Sequence, residues 1–326
     1  MWPVAAAPTV EGMRNHITAP IAAVCLVVLI LFTRGHASPP LPEPGGSPPI
    51  SQDRADRLDR SGDDLYWTVT GRLGTGTPVT AVHRTHGEII RREFSVSFGD
   101  LAGGRFVVVN DYLRGASWIE RFDNGVTVAA GQPLIGLRDL LTDGAALYWA
   151  DDAGLRSAPV GGFAVRTLTR ASAIGVVALD GGRLYFTVGN EVRSVGTHGG
   201  RVRTEIIGRS TVTAVAVRDG HLYWSELGAG VRQRGGYLHS AVPGRVVTEV
   251  SVTGARVVWV DCTPAGDECR VSAYADGVTR SIATGSGTHD VQDDGTSIAY
   301  AGNGGVMMAD LVNDGLQNGV RSLLLR

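Results

Sequence analysis

The chain contains no lysine; all 30 of its basic residues are arginine. With abundant Ala, Gly and Val, that bias points to a GC-rich bacterial genome and says nothing of mechanism. Net charge is lacking too. A formal −2 over 326 residues gives no electrostatic ground for nucleic acid or an anionic membrane surface as a partner. Cysteine is scarce, with three in all. No apolar run is long enough for a comfortable membrane span. Ala19 to Phe32, interrupted only by Pro20, would reach about 21 Å as a helix, against a hydrocarbon core of about 30 Å. Nucleophile elbow, phosphate loop, zinc-protease helix and nucleotide fingerprint are all missing. The sequence therefore designates no catalytic residue, no metal-ligand set and no cofactor.

The N-terminal organisation follows from that short run. Residues 1–16 form a polar leader, and residues 17–33 are a signal or transmembrane segment. Extended by Ile17 and Thr18 and by snorkelling flanks, the run serves as a short single-pass anchor. Read as a signal-peptide core, it precedes small residues at Gly35-His36-Ala37, with cleavage after Ala37. Cys25 follows Val24 rather than the small residue a lipoprotein signal uses, so it reads as a buried apolar residue. Residues 34–49 contain PPLPEPGGSPP, a semi-extended tether. Both readings send a folded domain, residues 50–326, out of the cytoplasm.

What the chain has in abundance is glycine, 45 residues, about twice the usual share, and a repeat. Leu147-Tyr148-Trp149 recurs as Leu65-Tyr66-Trp67, Phe106-Val107-Val108, Leu184-Tyr185-Phe186, Leu222-Tyr223-Trp224, Val257-Val258-Trp259 and Ile298-Ala299-Tyr300. The middle residues step by 41, 41, 37, 38, 35 and 41. Downstream turns centred on Gly87, Gly125, Gly162, Gly200, Gly236, Gly277 and Gly315 keep the same phase. Such Gly pairs are hairpin signals because the favoured two-residue turns need positive φ. In the fourth unit, Ile174–Ala178, Arg183–Val188, Glu191–Val195 and Arg201–Ile206 read as four short strands. A period near 40 with four strands per unit specifies an all-β propeller of seven four-stranded blades.

The spacing also locates the variation. From turn glycine to the end of the next trio takes 21 to 24 residues, whereas from trio to its own turn takes 12 to 20. The variable part is the hairpin between second and third strands, longest in blades 1, 2 and 6. Those hairpins share a face with the blade-to-blade crossovers, and loops on such a face accept functional change without disturbing the core. The aromatic trios themselves read as inter-blade core.

Tyr66-Trp67-Thr68, Tyr148-Trp149-Ala150-Asp151 and Tyr223-Trp224-Ser225 resemble the YWTD repeats of lipoprotein-receptor propellers, and the whole pattern resembles secreted bacterial TolB-like propellers. Those families are typically six-bladed, whereas seven units occur here. The resemblance implies the fold and a tendency to bind, and it carries no active site.

Candidate binding residues follow from placement. Asp111, Tyr112 and Arg114 lie in the blade 2 hairpin, and Asp267 and Glu268 in that of blade 6. Arg138, Asp139, His289 and Asp290 lie on inner strands or their approaches, where side chains reach the centre of the ring. Cys262 and Cys269 flank the blade 6 hairpin and are expected to form a disulfide in an oxidising compartment. His83 and His86 of blade 1, with His198 of blade 4, read as solvated turn residues rather than metal ligands. Asp151-Asp152 and Asp293-Asp294 read as turn residues that accept backbone hydrogen bonds.

The function expected is therefore binding without catalysis: a tethered or secreted propeller taking a protein, peptide or glycan at the cell envelope. Membrane contact would come through the N-terminal segment only. Two alternatives stand beside it, a hydrolase or lyase with its site at the channel mouth, and the sensor domain of an envelope complex. The inner strands of blades 4 and 5, IGVVA and VTAVA, carry no ionisable group, which argues against the enzyme.

Overall fold

The computed structural model describes residues 55–72, 78–85, 87–93, 96–111, 113–129, 137–162, 164–240, 242–302, 305–310 and 320–321, all within one compact unit, Gly45–Arg326. The apolar run, its alternative cleavage point and the Pro-rich spacer lie outside the described residues. No helix of the described residues is long and apolar enough to cross a membrane.

Every regular element described is a strand. The strands form seven sheets of four, each antiparallel and each built from consecutive stretches of chain. The innermost strands are Ala55–Ser61, Val96–Ala102, Arg138–Thr142, Ile174–Asp180, Val212–Arg218, Val246–Thr253 and His289–Asp293. The molecule is a seven-bladed β-propeller.

The aromatic trios occupy the second strand of each blade, and their alternation explains why the sequence commits to this fold. Successive side chains on a strand point to opposite faces, and both faces of a blade meet another blade. In six blades the middle residue packs forward and the third packs backward. In blade 2 the alternation is shifted by one, with Val107 packing back on blade 1 and Val108 forward on blade 3. Tyr66 joins Phe98, Leu101 and Val107 of blade 2, whereas Trp67 packs with Ala299, Ala301 and Val306 of blade 7. Tyr148 lies with Ile174, Leu184 and Phe186 of blade 4, and Trp149 with Phe106 and Val108 of blade 2. Trp259 meets Ala214, Ala216 and Val231 of blade 5. Burying each large side chain contributes roughly 1.5–3 kcal/mol. The Nε1 groups of Trp67, Trp149 and Trp259 are buried without a hydrogen-bond partner, so these rings serve packing alone.

Blade 7 is drawn entirely from residues 289–321 and blade 1 begins at Ala55. Ring closure thus rests on side-chain packing between blades 1 and 7, without strand exchange. An ion pair reinforces it, as Arg60 reaches Asp294; at the preceding step Arg256 of blade 6 pairs with the buried Asp293 carboxylate of blade 7.

Two turns show what the glycines do. Gly104 has φ +59°, and a Cβ there would lie 2.6 Å from the Tyr66 ring, so the turn of blade 2 closes directly on the blade 1 aromatic. In blade 4 the hairpin turn falls on Thr197-His198, with Gly196 opposite Gly199. The turn is thus displaced from the expected Gly199-Gly200 pair. Those two glycines begin the outer strand with φ of +81° and +106°.

Hairpin lengths follow the sequence pattern except in blade 5, expected to be the shortest. There four residues separate Glu226 from Val231, as many as separate Asp111 from Ala116 in blade 2. Six residues separate Cys262 from Cys269, whereas two separate Asp151 from Gly154 and Val188 from Glu191.

Candidate functional site at the mouth of the ring

Each innermost strand breaks register with its partner near its beginning. The extra residues fall at Asp56, Gly99-Asp100, Asp139-Leu140, Gly175-Val176, Thr213, Thr248 and Asp290. A bulge leaves its residue out of the ladder and re-aims the side chain. Seven bulges at one level make a belt at the mouth of the ring. The pairing fixes which mouth: strand starts lie opposite the ends of second strands, as His289 lies opposite Ala301. The belt therefore sits on the face that carries the second-to-third hairpins.

Asp139 and Asp290 adopt positive φ, 52° and 48°, which a short polar side chain tolerates better than most. That geometry throws each carboxylate onto the next blade. Asp139 Oδ2 accepts Val177 N–H at 2.9 Å, and Asp290 Oδ2 accepts Leu58 N–H at 2.9 Å. Glu249 does the same from blade 6, its Oε1 accepting Val291 N–H at 2.9 Å. Three blade-to-blade steps are thus clasped by a carboxylate on an amide.

Arg57 lies among them. Its Nε is 2.7 Å from Asp100 and its Nη1 3.4 Å from Asp290. Burial disfavours its charged form, but Asp100, Asp290, Asp139 and Glu249 outweigh that and raise its pKa. The carboxyls respond in turn. Burial, reinforced by the charge of Asp100, pushes Asp139 up to about 7. Burial and the charge of Asp290 push Glu249 to about 8. Burial also raises Asp290, against the pull of Arg57. These side chains keep some solvent contact through the opening, yet protein surrounds them, so their charges are screened less than surface charges. Among the described residues, no three or more His, Cys, Asp or Glu side chains are arranged to hold a metal ion.

His289 ties this mouth to the disulfide hairpin. Its Nδ1 lies 2.6 Å from Gly287 O, and its Nε2 lies 2.9 Å from Asp56 O. Both partners accept, so both contacts are satisfied together only when each ring nitrogen carries hydrogen. Gly287 N–H in turn donates to Gly266 O at the tip of the blade 6 hairpin. Cys262 and Cys269 form the expected disulfide there. Arg245 clamps the same hairpin, pairing with Asp261 and, at 3.0 Å, with Glu268.

Of the residues singled out from sequence, the structure brings Asp139, Asp290 and His289 together at the mouth. Arg138 instead turns to Asp152 at 3.1 Å. Asp111 caps its own hairpin, accepting Leu113 N–H and Arg114 N–H, and pairs loosely with Arg114. Asp267 bonds Thr263 beside it. Tyr112 and His86 lie outside the described residues. His83 differs from its expected solvated role, for its ring stacks on the buried Trp67 with centroids 5.6 Å apart. Asp151 and Asp294 do accept local amides, from Ala153 and from Thr296 and Ser297. Sequence reasoning missed Arg57, Asp100 and Glu249. Their signal was available: each lies six to eight residues before its trio's first residue, as Asp139 and Asp290 do.

No protein-family model matches the chain, and no curated protein matches it. Solved structures share its fold. It is similar to the computationally designed Ika8 protein, at 13% identity and TM-score 0.55 over 82% of this chain and 99% of that one. It is similar to puromycin hydrolase at 13% identity and TM-score 0.56, over 88% of this chain and 57% of that one. A third is the extracellular domain of a B. thetaiotaomicron protein assigned as a hybrid two component system, at 12% identity and TM-score 0.55. That match covers 79% of this chain and 39% of the other. At these identities the likeness is one of propeller fold.

Proposed function

We propose that the chain is a non-catalytic binding propeller, placed outside the cytoplasm, that takes a protein, peptide or glycan of the cell envelope at the mouth of its ring. The observation that carries this reading is the belt of bulges around Arg57, Asp100, Asp139, Glu249 and Asp290. Polar side chains from five blades converge there, on the face with the longest hairpins. A partly solvated opening with preset donors and acceptors suits recognition of a polar ligand.

Residues 17–33 hold the chain in the membrane as a single-pass anchor or are removed with cleavage near Ala37, and residues 34–49 act as the tether. The Cys262–Cys269 disulfide supports an oxidising location. A similar fold occurs within the extracellular domain of the B. thetaiotaomicron protein, over 39% of its chain, which is in keeping with it. A reporter fused after Arg326 is expected to be active outside the cytoplasm; activity inside would refute the placement.

The binding reading is tested by capture from envelope fractions with the full chain and with an Asp100→Asn, Asp139→Asn double variant. A ligand retained by the first and lost by the second, with both folded, supports it. Equal retention moves the site elsewhere.

One observation favours an enzyme as second reading. Asp139 near 7 and Glu249 near 8 are carboxyls able to exchange protons at neutral pH, as general acids and bases must. Turnover of peptide, ester or glycan substrates that disappears in Glu249→Gln would establish it.

A further inference from the structure

Blade 5 is built short on its outer side. Its third strand is Val231–Gln233 and its outer strand only Gly236–Tyr237, whereas the outer strand of blade 4 runs nine residues, Gly199–Ile207. Among the described residues that is the longest outer strand of the seven, and no strand pairs with its free edge. A long open edge is a template for another extended chain.

Arginine predominates beside this edge, with Glu205 on the strand itself as an acidic member. Val202 packs toward blade 3, while Arg203 lies opposite Ser194 and is exposed, as is Arg201 two residues earlier. Among the described residues neither guanidinium has an ion-pair partner. Across the gap left by the short blade, Arg234 is 69% exposed and reaches Glu205 at 3.3 Å. Arg232 lies 4.3 Å over the ring of the exposed Tyr237. Glu226 is buried and already held by Arg232, so it offers nothing to solvent. The acidic side chains at this strand, Glu205 and Glu191 opposite Ile207, are each already paired, with Arg234 and Arg193, which leaves Arg201 and Arg203 uncompensated.

We infer that the outer strand of blade 4 is a docking edge for an acidic peptide in extended conformation, which adds to the sheet as a fifth strand. Arg203 is paired in register opposite Ser194, whereas Arg201 lies in the bulged stretch between that pair and the pair of Gly196 with Gly199. The two guanidinium groups thus stand on either side of a local kink in the open edge. Opposite charges directly across a strand pair attract, and main-chain hydrogen bonds supply sequence-independent affinity. This geometry favours an extended peptide over a glycan, which has no amide ladder to match the edge. The surface lies on the rim of the ring and is independent of its mouth. A plainer role for edge arginines is to repel self-association, and the two roles give different results.

The test uses the full chain and a labelled peptide of about ten alternating Glu and Thr residues. Binding read by fluorescence anisotropy is expected to saturate and to weaken about tenfold in Arg201→Glu, Arg203→Glu. It should be unchanged in Arg280→Glu, a control on the exposed outer strand of blade 6. A peptide N-methylated at alternate amides should lose binding, because only the strand ladder needs those hydrogens. The inference is overturned if wild type does not bind, if the charge reversal leaves affinity unchanged, or if the methylated peptide binds equally. It is also overturned if an oligogalacturonate or an anionic vesicle binds as tightly with the same arginine dependence. A charge-reversed variant that merely self-associates, with peptide affinity intact, assigns the arginines to edge protection and likewise overturns it.

Discussion

Arg57 Nε lies 2.7 Å from Asp100 Oδ1, an ion pair that joins the inner strand of blade 1 to that of blade 2. The same guanidinium faces Asp290 on blade 7 at 3.4 Å, so one side chain bridges both sides of the first blade. It is also the cation that allows Asp100, Asp139, Glu249 and Asp290 to share one opening.

Replacing Arg57 with Gln is expected to cost about 1 kcal/mol at pH 8, because the side chain is half exposed and screened. Near pH 5 the loss should shrink, since protonated carboxyls need no counter-charge. Urea melts at the two pH values check this; an equal loss at both would place the role of Arg57 in packing.

The mouth also sets the direction of the pH dependence. Asp139, near 7, and Glu249, near 8, hold protons more readily folded than unfolded, where carboxyls titrate near ~4. Stability therefore falls as pH climbs through that window and recovers on mild acidification. Asp59, raised by burial to about 6, adds to the same trend. In stronger acid the trend reverses, because Asp294, held low by amides and Arg60 despite some burial, must then be protonated. The melting temperature is expected to be higher near pH 5.5 than near pH 8.5, and Glu249→Gln should flatten the difference.

Two glycine substitutions separate strain from crowding. Gly104→Ala places a Cβ 2.6 Å from the Tyr66 ring at φ +59°, and should cost about 2–4 kcal/mol. Gly144 has φ +86° and open space around its Cβ position, so Gly144→Ala should cost only about 1 kcal/mol. Chemical denaturation of both variants reads the contrast.

The blade 6 hairpin is held twice, by the disulfide and by Arg245. The bridge closes a small loop, for which chain entropy predicts about 2–3 kcal/mol. Cys262→Ser with Cys269→Ser should leave the propeller folded and raise hydrogen exchange mainly over Thr263 to Glu268. Adding Arg245→Ala should extend the loosening to Gly287, which bonds Gly266. Unfolding of the whole ring in the cysteine variant would contradict a local role.

The fold was legible because blades repeat. The trio recurs at a period near 40, and each copy buries side chains on both faces, with forward-packing middle residues in every blade but the second. The site was only partly legible, because bulges are a property of pairing register, which no single strand displays. Asp139 and Asp290 were legible from their placement on inner strands, beside the charged or polar Arg138 and His289. Asp100 and Glu249 lie in the middle of theirs, single charges beside which no motif stands, and Arg57 sat in the charged run Asp56-Arg57-Leu58-Asp59-Arg60, where a solvated face was the simpler reading. His83 was misjudged for a similar reason: its stacking partner Trp67 is a neighbour only after the hairpin pairs them.

The most direct test of the account is hydrogen exchange on the full chain, alone and with ligand captured from envelope fractions. Protection is predicted at the strand starts around the mouth, residues 55–59, 98–101, 138–141, 247–250 and 289–292. Protection confined to the opposite-face turns, residues 62–63, 103–104, 143–145 and 181–182, would contradict it.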